Sequence, residues 1–122
     1  MGNKDLHYGE TILKQTYLHF SRRAIDSTLA VLNPDVDWPN GKEGGIEHGP
    51  EAVRNCWTRQ WKLLDPHVES IQFDEEAEGR IKVTVHQVVL GIDGKLLIDQ
   101  IINHVYTFED GLVRSMEIRD SD

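Results

Sequence analysis

Two histidines, His86 and His104, are the side chains of this sequence best suited to acid–base chemistry. Imidazole is the one side chain whose ordinary titration falls near neutral pH. Both residues sit in long runs of strand-forming residues, and the two strands should pair or lie close. Two imidazoles facing one space could act as general acid and general base in an enolisation or a dehydration. On the competing reading each is a polar strand residue bonded to a neighbour or to water. A zinc site needs three or four converging ligands, and no His-x-His or His-x-x-x-His spacing occurs, so no metal is expected.

Asp37 beside Trp38 forms a second constellation, with His48 further on. A carboxylate held against an indole loses hydration, which raises its proton affinity and suits a base working near pH 7. On the plainer reading Asp37 is solvated and only Trp38 packs inward. Trp38, Trp57 and Trp61, with Tyr17 and Tyr106, supply aromatic surface. Small-molecule pockets combine such apolar walls with a few polar tips, so at least one tryptophan is expected to face a flat or cyclic ligand. Val53, Trp57, Trp61 and Leu64 also recur at helical spacing, which by itself describes a core face. No Gly-x-Ser-x-Gly nucleophile turn and no phosphate-cradling loop is present. Gly41, Gly44, Gly45 and Gly49 read as a loop over a cavity, and Cys56 as a buried structural thiol.

The elements that must carry these residues divide the chain into a helical half and a strand half, with the change near Pro66. Such segregation indicates an α+β protein. Ile12, Leu13, Tyr17 and Phe20 predict a helix over residues 8–20. Ile25, Leu29 and Leu32 predict a second over 23–32, stopped by Pro34, which disfavours helical geometry at Asn33. Residues 36–38 can form only a short strand. Pro50, with Gly49 as its cap, opens a third helix that Asp65-Pro66 should end. Strands are predicted over 67–74, 80–90, 96–109 and 112–119, with turns at 75–79, 91–94 and 110–111. The stretches 85–90 and 96–102 are apolar on both faces. One face should therefore meet something besides the helices, and a homodimer through the sheet is the expected cover.

The chain has 122 residues, fitting one domain over 1–122. A formal net charge of −8 with no basic patch speaks against nucleic acid as a partner. No run is long enough to span a bilayer, so no membrane partner is expected. Residues 1–10 are polar and lack the apolar stretch of a secretory signal, and the single cysteine fits a reducing, cytoplasmic setting.

The stretch from Ala24 to Trp38, then Gly49-Pro50-Glu51-Ala52-Val53-Arg54 with Trp57, and then His104-Val105-Tyr106-Thr107-Phe108-Glu109-Asp110-Gly111-Leu112-Val113 resemble the nuclear-transport-factor-2-like superfamily, and most of all its SnoaL-like branch. The resemblance covers nearly the whole chain. It implies three helices closing a strongly curved antiparallel sheet around a cone-shaped pocket for a small molecule. It leaves the chemistry open, because isomerases, dehydratases, epoxide hydrolases, cyclases and plain binding proteins share the fold. If His104 points into the cone, alternation sends Ile102, Tyr106 and Phe108 the same way, with Met116 and Ile118 as further walls. The ketosteroid isomerase positions match Thr16, His104 and Trp38, and none keeps the family residue, so that mechanism is not expected. Scytalone dehydratase resembles the chain only in the type of residues it uses, histidines, tyrosines and an aspartate. The reading is a pocket protein for an apolar cyclic substrate. His104 would be the principal acid–base group of an isomerase, dehydratase or cyclase, and His86 or Asp37 its partner. The alternative is a non-catalytic carrier. No cofactor is implied.

Overall fold

A computed structural model describes residues 2–40 and 44–120, with side chains from residue 8 onward. Residues 41–43, the start of the expected glycine loop, lie outside the described residues. Helix α1 (Gly2–Ser21) is followed by a short α2 (Ile25–Leu29), β1 (Leu32–Pro39), β2 (Ile46–His48) and α3 (Pro50–Gln60). Strands β3 (Leu64–Glu75), β4 (Ile81–Gly91), β5 (Leu96–Glu109) and β6 (Leu112–Asp120) complete the chain. The architecture is α+β, with helices N-terminal to one curved, unclosed sheet of order β2-β1-β6-β5-β4-β3. Every pairing is antiparallel except β1 with β6. Among the described residues no helix is long and apolar enough to cross a membrane.

Several boundaries differ from the sequence expectation, each for a local reason. Helix α2 ends at Leu29 rather than at residue 32, because the Val31 carbonyl is drawn into the sheet, where it accepts from the Val113 N–H at 2.8 Å. Strand β1 is longer than residues 36–38 and contains Pro34. The Asn33 side chain accepts the Asp35 N–H at 2.9 Å, and the register against β6 shifts between Leu32 and Asp37. That irregularity accommodates a residue with no N–H to offer. Strand β2 lies within the expected loop and pairs with β1 through Asp37 and His48. Helix α3 stops at Gln60, and Asp65 and Pro66 lie inside β3. Proline is tolerated there because β3 is an edge strand. Gly49 caps α3 at φ 86° and ψ 153°, a conformation that excludes residues with a Cβ.

The β4–β5 register sorts the sheet's two faces. Val83 opposes His104, Val85 opposes Ile102, Gln87 opposes Gln100 and Val89 opposes Ile98 on the concave side. Thr84 with Asn103, His86 with Ile101 and Val88 with Asp99 alternate onto the convex side. Leu13 of α1, Val53 of α3 and Val36 of β1 are fully buried with Val83 and Val85, so the core lies between the helices and the lower part of the concave face. The upper part of β5 lacks that cover. Leu97 and Ile101 are 52% and 42% exposed, so the described residues leave about half of each apolar side chain open.

Candidate functional site

Above the core the concave face stays hollow, leaving a cavity of about 360 Å³. Helix α1 supplies Thr16, Tyr17 and Phe20, helix α3 supplies Cys56, Trp57 and Gln60, and β1 supplies Trp38 and Pro39. The sheet contributes Ile102, the Gln87–Gln100 and Val89–Ile98 pairs above His104, and Tyr106, Met116 and Ile118. Trp38 and Trp57 meet edge to face, ring centres 5.6 Å apart, and Trp38 lies 6.3 Å from Tyr106. No Asp, Glu, Lys or Arg is among the described residues lining the cavity.

Its polar centre is a chain of three buried side chains. The Tyr17 hydroxyl lies 2.8 Å from His104 Nδ1 and 2.7 Å from the Tyr106 hydroxyl. The Tyr17 and His104 rings stack at 5.9 Å, and His104 is 7% exposed. Burial without a carboxylate partner pushes the His104 pKa down to about 4, so the ring is neutral at neutral pH. Burial, reinforced by their mutual contact, pushes the Tyr17 hydroxyl well up, and burial raises Tyr106 as well. Both tyrosines stay protonated.

Proton placement then follows from counting donors. A neutral imidazole carries one N–H. If Tyr106 donates to Tyr17 and Tyr17 donates to Nδ1, every hydroxyl proton is used and the N–H sits on Nε2. The reverse direction would leave the Tyr106 hydroxyl proton with no acceptor in a buried site, which is costly. Nε2 bonds to no described residue, and it is not a fully enclosed orphan atom. Its remaining surface therefore opens to the cavity that His104 lines. The arrangement offers the cavity one aimed hydrogen-bond donor, held in one tautomer by two tyrosines. Such a donor can bind or polarise a carbonyl, quinone or phenolic oxygen and stabilise negative charge developing there. With its pKa near 4, His104 is a poor base at neutral pH.

The other sequence candidates fall in different places. Tyr17, Trp38, Trp57, Tyr106, Met116 and Ile118 line the cavity beside His104. His86 does not join them: strand alternation turns it to the convex face, where Nε2 pairs with Asp99 Oδ1 at 2.7 Å. It cannot share a ligand atom with His104. The alternation was already visible, since His86 is out of phase with Val83 and Val85. Asp37 points away from Trp38's side of β1 and is 43% exposed. It meets His48 Nδ1 at 2.7 Å and Arg114 at 3.3 Å. The His48 hydrogen bond, then that of Arg114, lowers its pKa, the opposite of what a base desolvated by indole requires. Trp61 stacks on Trp57 at 5.9 Å with Arg23 5.1 Å over its ring, outside the lining. Among the described residues no cluster of His, Cys, Asp and Glu is arranged to hold a metal ion. The sequence reading missed Gln60, Gln87 and Gln100. Gln87 could have been found as the polar interruption in the inward series Val83, Val85, Val89.

No family model and no curated protein matches the sequence. Solved structures do match. A nuclear-transport-factor-2-like protein of unknown function from Burkholderia pseudomallei is 25% identical, with a TM-score of 0.81 over 93% of this chain and 91% of that one. TerC, crystallised with polyporic acid, is also 25% identical, with a TM-score of 0.78 over 93% and 91%. SalBIII, an epoxide hydrolase/cyclase-like enzyme with a role in pyran ring formation in the polyether salinomycin, is 12% identical, with a TM-score of 0.80 over 99% and 95%. Its identity shows the fold alone. The open, curved sheet, the helices before it and these superpositions together make the chain a protein of the nuclear-transport-factor-2-like, SnoaL-like fold.

Proposed function

We propose that this chain binds a neutral, largely apolar cyclic molecule in its cavity and that His104 donates a hydrogen bond from Nε2 to an oxygen of that molecule. The carrying observation is the lining: among the described residues it has aromatic and aliphatic walls, no Asp, Glu, Lys or Arg, and one deep imidazole nitrogen with no partner. The structural likeness to TerC, crystallised with polyporic acid, supports a small-molecule ligand in the cavity. A cytoplasmic setting fits a single cysteine, Cys56, whose thiol is buried.

The Tyr106–Tyr17–His104 chain favours a second reading, catalysis. If the ligand oxygen gains negative charge in an enolisation, ring closure or dehydration, a fixed donor strengthens its bond as that charge develops. His104 would then act as electrophile rather than as base. The likeness to SalBIII belongs to the same reading through the fold only. We also propose a homodimer through the convex face of the sheet, supported by the exposed Leu97 and Ile101 on β5.

The test uses the tryptophans in the wall. Neutral cyclic ketones and quinones are titrated against the protein, and binding is followed by tryptophan fluorescence. Several should bind, and His104→Ala should weaken them roughly tenfold, the worth of one good hydrogen bond. Binding of no member, or unchanged affinity in the variant, would refute the proposal.

A further inference from the structure

The concave wall of β4 and β5 is apolar at Val85, Ile102, Val89 and Ile98, with one interruption between them. There Gln87 and Gln100 oppose each other, and Gln100 Nε2 donates to Gln87 Oε1 at 2.8 Å. That bond uses one donor and one acceptor. The amide protons of Gln87 and the carbonyl oxygen of Gln100 meet no other described residue. A donor group of Gln87 and an acceptor of Gln100 thus remain uncommitted on this exposed part of the cavity wall. From Gln100 to His104 is four residues of one strand, or about 13 Å between Cα atoms at the usual rise.

We propose that this amide pair is a second recognition point, and that the ligand is an elongated neutral molecule with a carboxamide or lactam at its outer end. The proposal rests on the reading that His104 holds an oxygen of the same ligand at the inner end. A planar amide offers its carbonyl to the Gln87 NH₂ and its N–H to the Gln100 carbonyl. The middle of such a ligand lies against Ile102. A carboxylate would find no cation among the described residues of the lining and would approach a chain of net charge −8.

Two probes separate this proposal from the reading beneath it: para-acetylbiphenyl, and the same molecule with a carboxamide at the far para position. Affinities are measured by tryptophan fluorescence for the wild-type protein, Gln87→Met/Gln100→Met and His104→Ala. The carboxamide should bind the wild type roughly tenfold more tightly than the plain ketone. The double methionine variant should lose that preference, and His104→Ala should weaken both probes. Equal binding of the two probes by the wild type, or a preference that survives in the methionine variant, would overturn the amide pair as a subsite and leave the His104 site standing. Binding of neither probe would overturn both.

Discussion

The buried, neutral His104 should make the protein lose stability as the pH falls, and the loss can be assigned to this one ring. In the folded chain its pKa is about 4, against an ordinary value of 6.5 that the unfolded chain regains. Between those values the unfolded state binds a proton that the folded state refuses, so stability falls with falling pH. The penalty is absent above 6.5, grows through the window and is complete below 4. Taking these two values, it amounts to about 2 kcal/mol between pH 7.5 and 5, and about 3 kcal/mol in full. The assay is urea unfolding at both pH values for the wild type and for His104→Gln. The variant keeps a polar group near Tyr17 and has no titration in that range. Its absolute stability is immaterial, because the comparison is between pH slopes. Asp37, Asp65 and Glu117, whose carboxyls are lowered by hydrogen bonds from His48, His67 and Arg119 respectively, also lose stabilisation in acid. They do so in both proteins and cancel in the difference. The wild type should lose about 2 kcal/mol more than the variant over the interval. Equal losses would mean that the ring is hydrated or ion-paired in the folded chain, and the neutral donor would be lost with it.

Removing the middle of the hydroxyl chain should cost more than removing its end. Tyr17→Phe leaves both Nδ1 and the Tyr106 hydroxyl without partners and should destabilise by about 2–3 kcal/mol, whereas Tyr106→Phe removes only the terminal donor and should cost about 1 kcal/mol. Urea unfolding of the two variants checks the order, and the reverse order would contradict Tyr17 as the link between His104 and Tyr106. Light scattering should give twice the 14.0 kDa chain mass, and Ile101→Asp, which puts a charge on the convex face, should halve it. A monomeric wild type at high concentration would remove the proposed dimer.

Where residues report on their own element, the sequence was readable. The stripe Val53, Cys56 and Trp57 buries one face of α3, and Pro50 and Gly49 open the helix as their backbone preferences require. Alternation placed His104, Ile102 and Tyr106 on one face of β5, all three of them buried. What was not readable depends on pairing between distant segments. The Val31 carbonyl ends α2 because Val113, far along the chain, claims it. The partner of His104 is a hydroxyl on α1 rather than a second imidazole, and no spacing within β5 announces Tyr17. Asp37 was undone by His48 and Arg114, two surface residues brought beside it by β2 and β6. Exposed ion pairs of this kind leave no periodic trace in a sequence.

The sheet ends in a margin at β3, where Ser21 Oγ accepts from the Val68 N–H and donates to its carbonyl, and where an edge strand's other outward amides and carbonyls form a template for pairing. This margin is poorly suited to such a docking. Pro66 offers no N–H, the ladder slips between Ser70 and Gln72, and Glu69, Asp74 and Glu75 set like charges along the strand. A second copy approaching rim to rim would meet a missing donor, a broken register and repulsion. The rim therefore turns away runaway stacking into fibres, and concentrated solutions of the folded chain should stay clear of that failure.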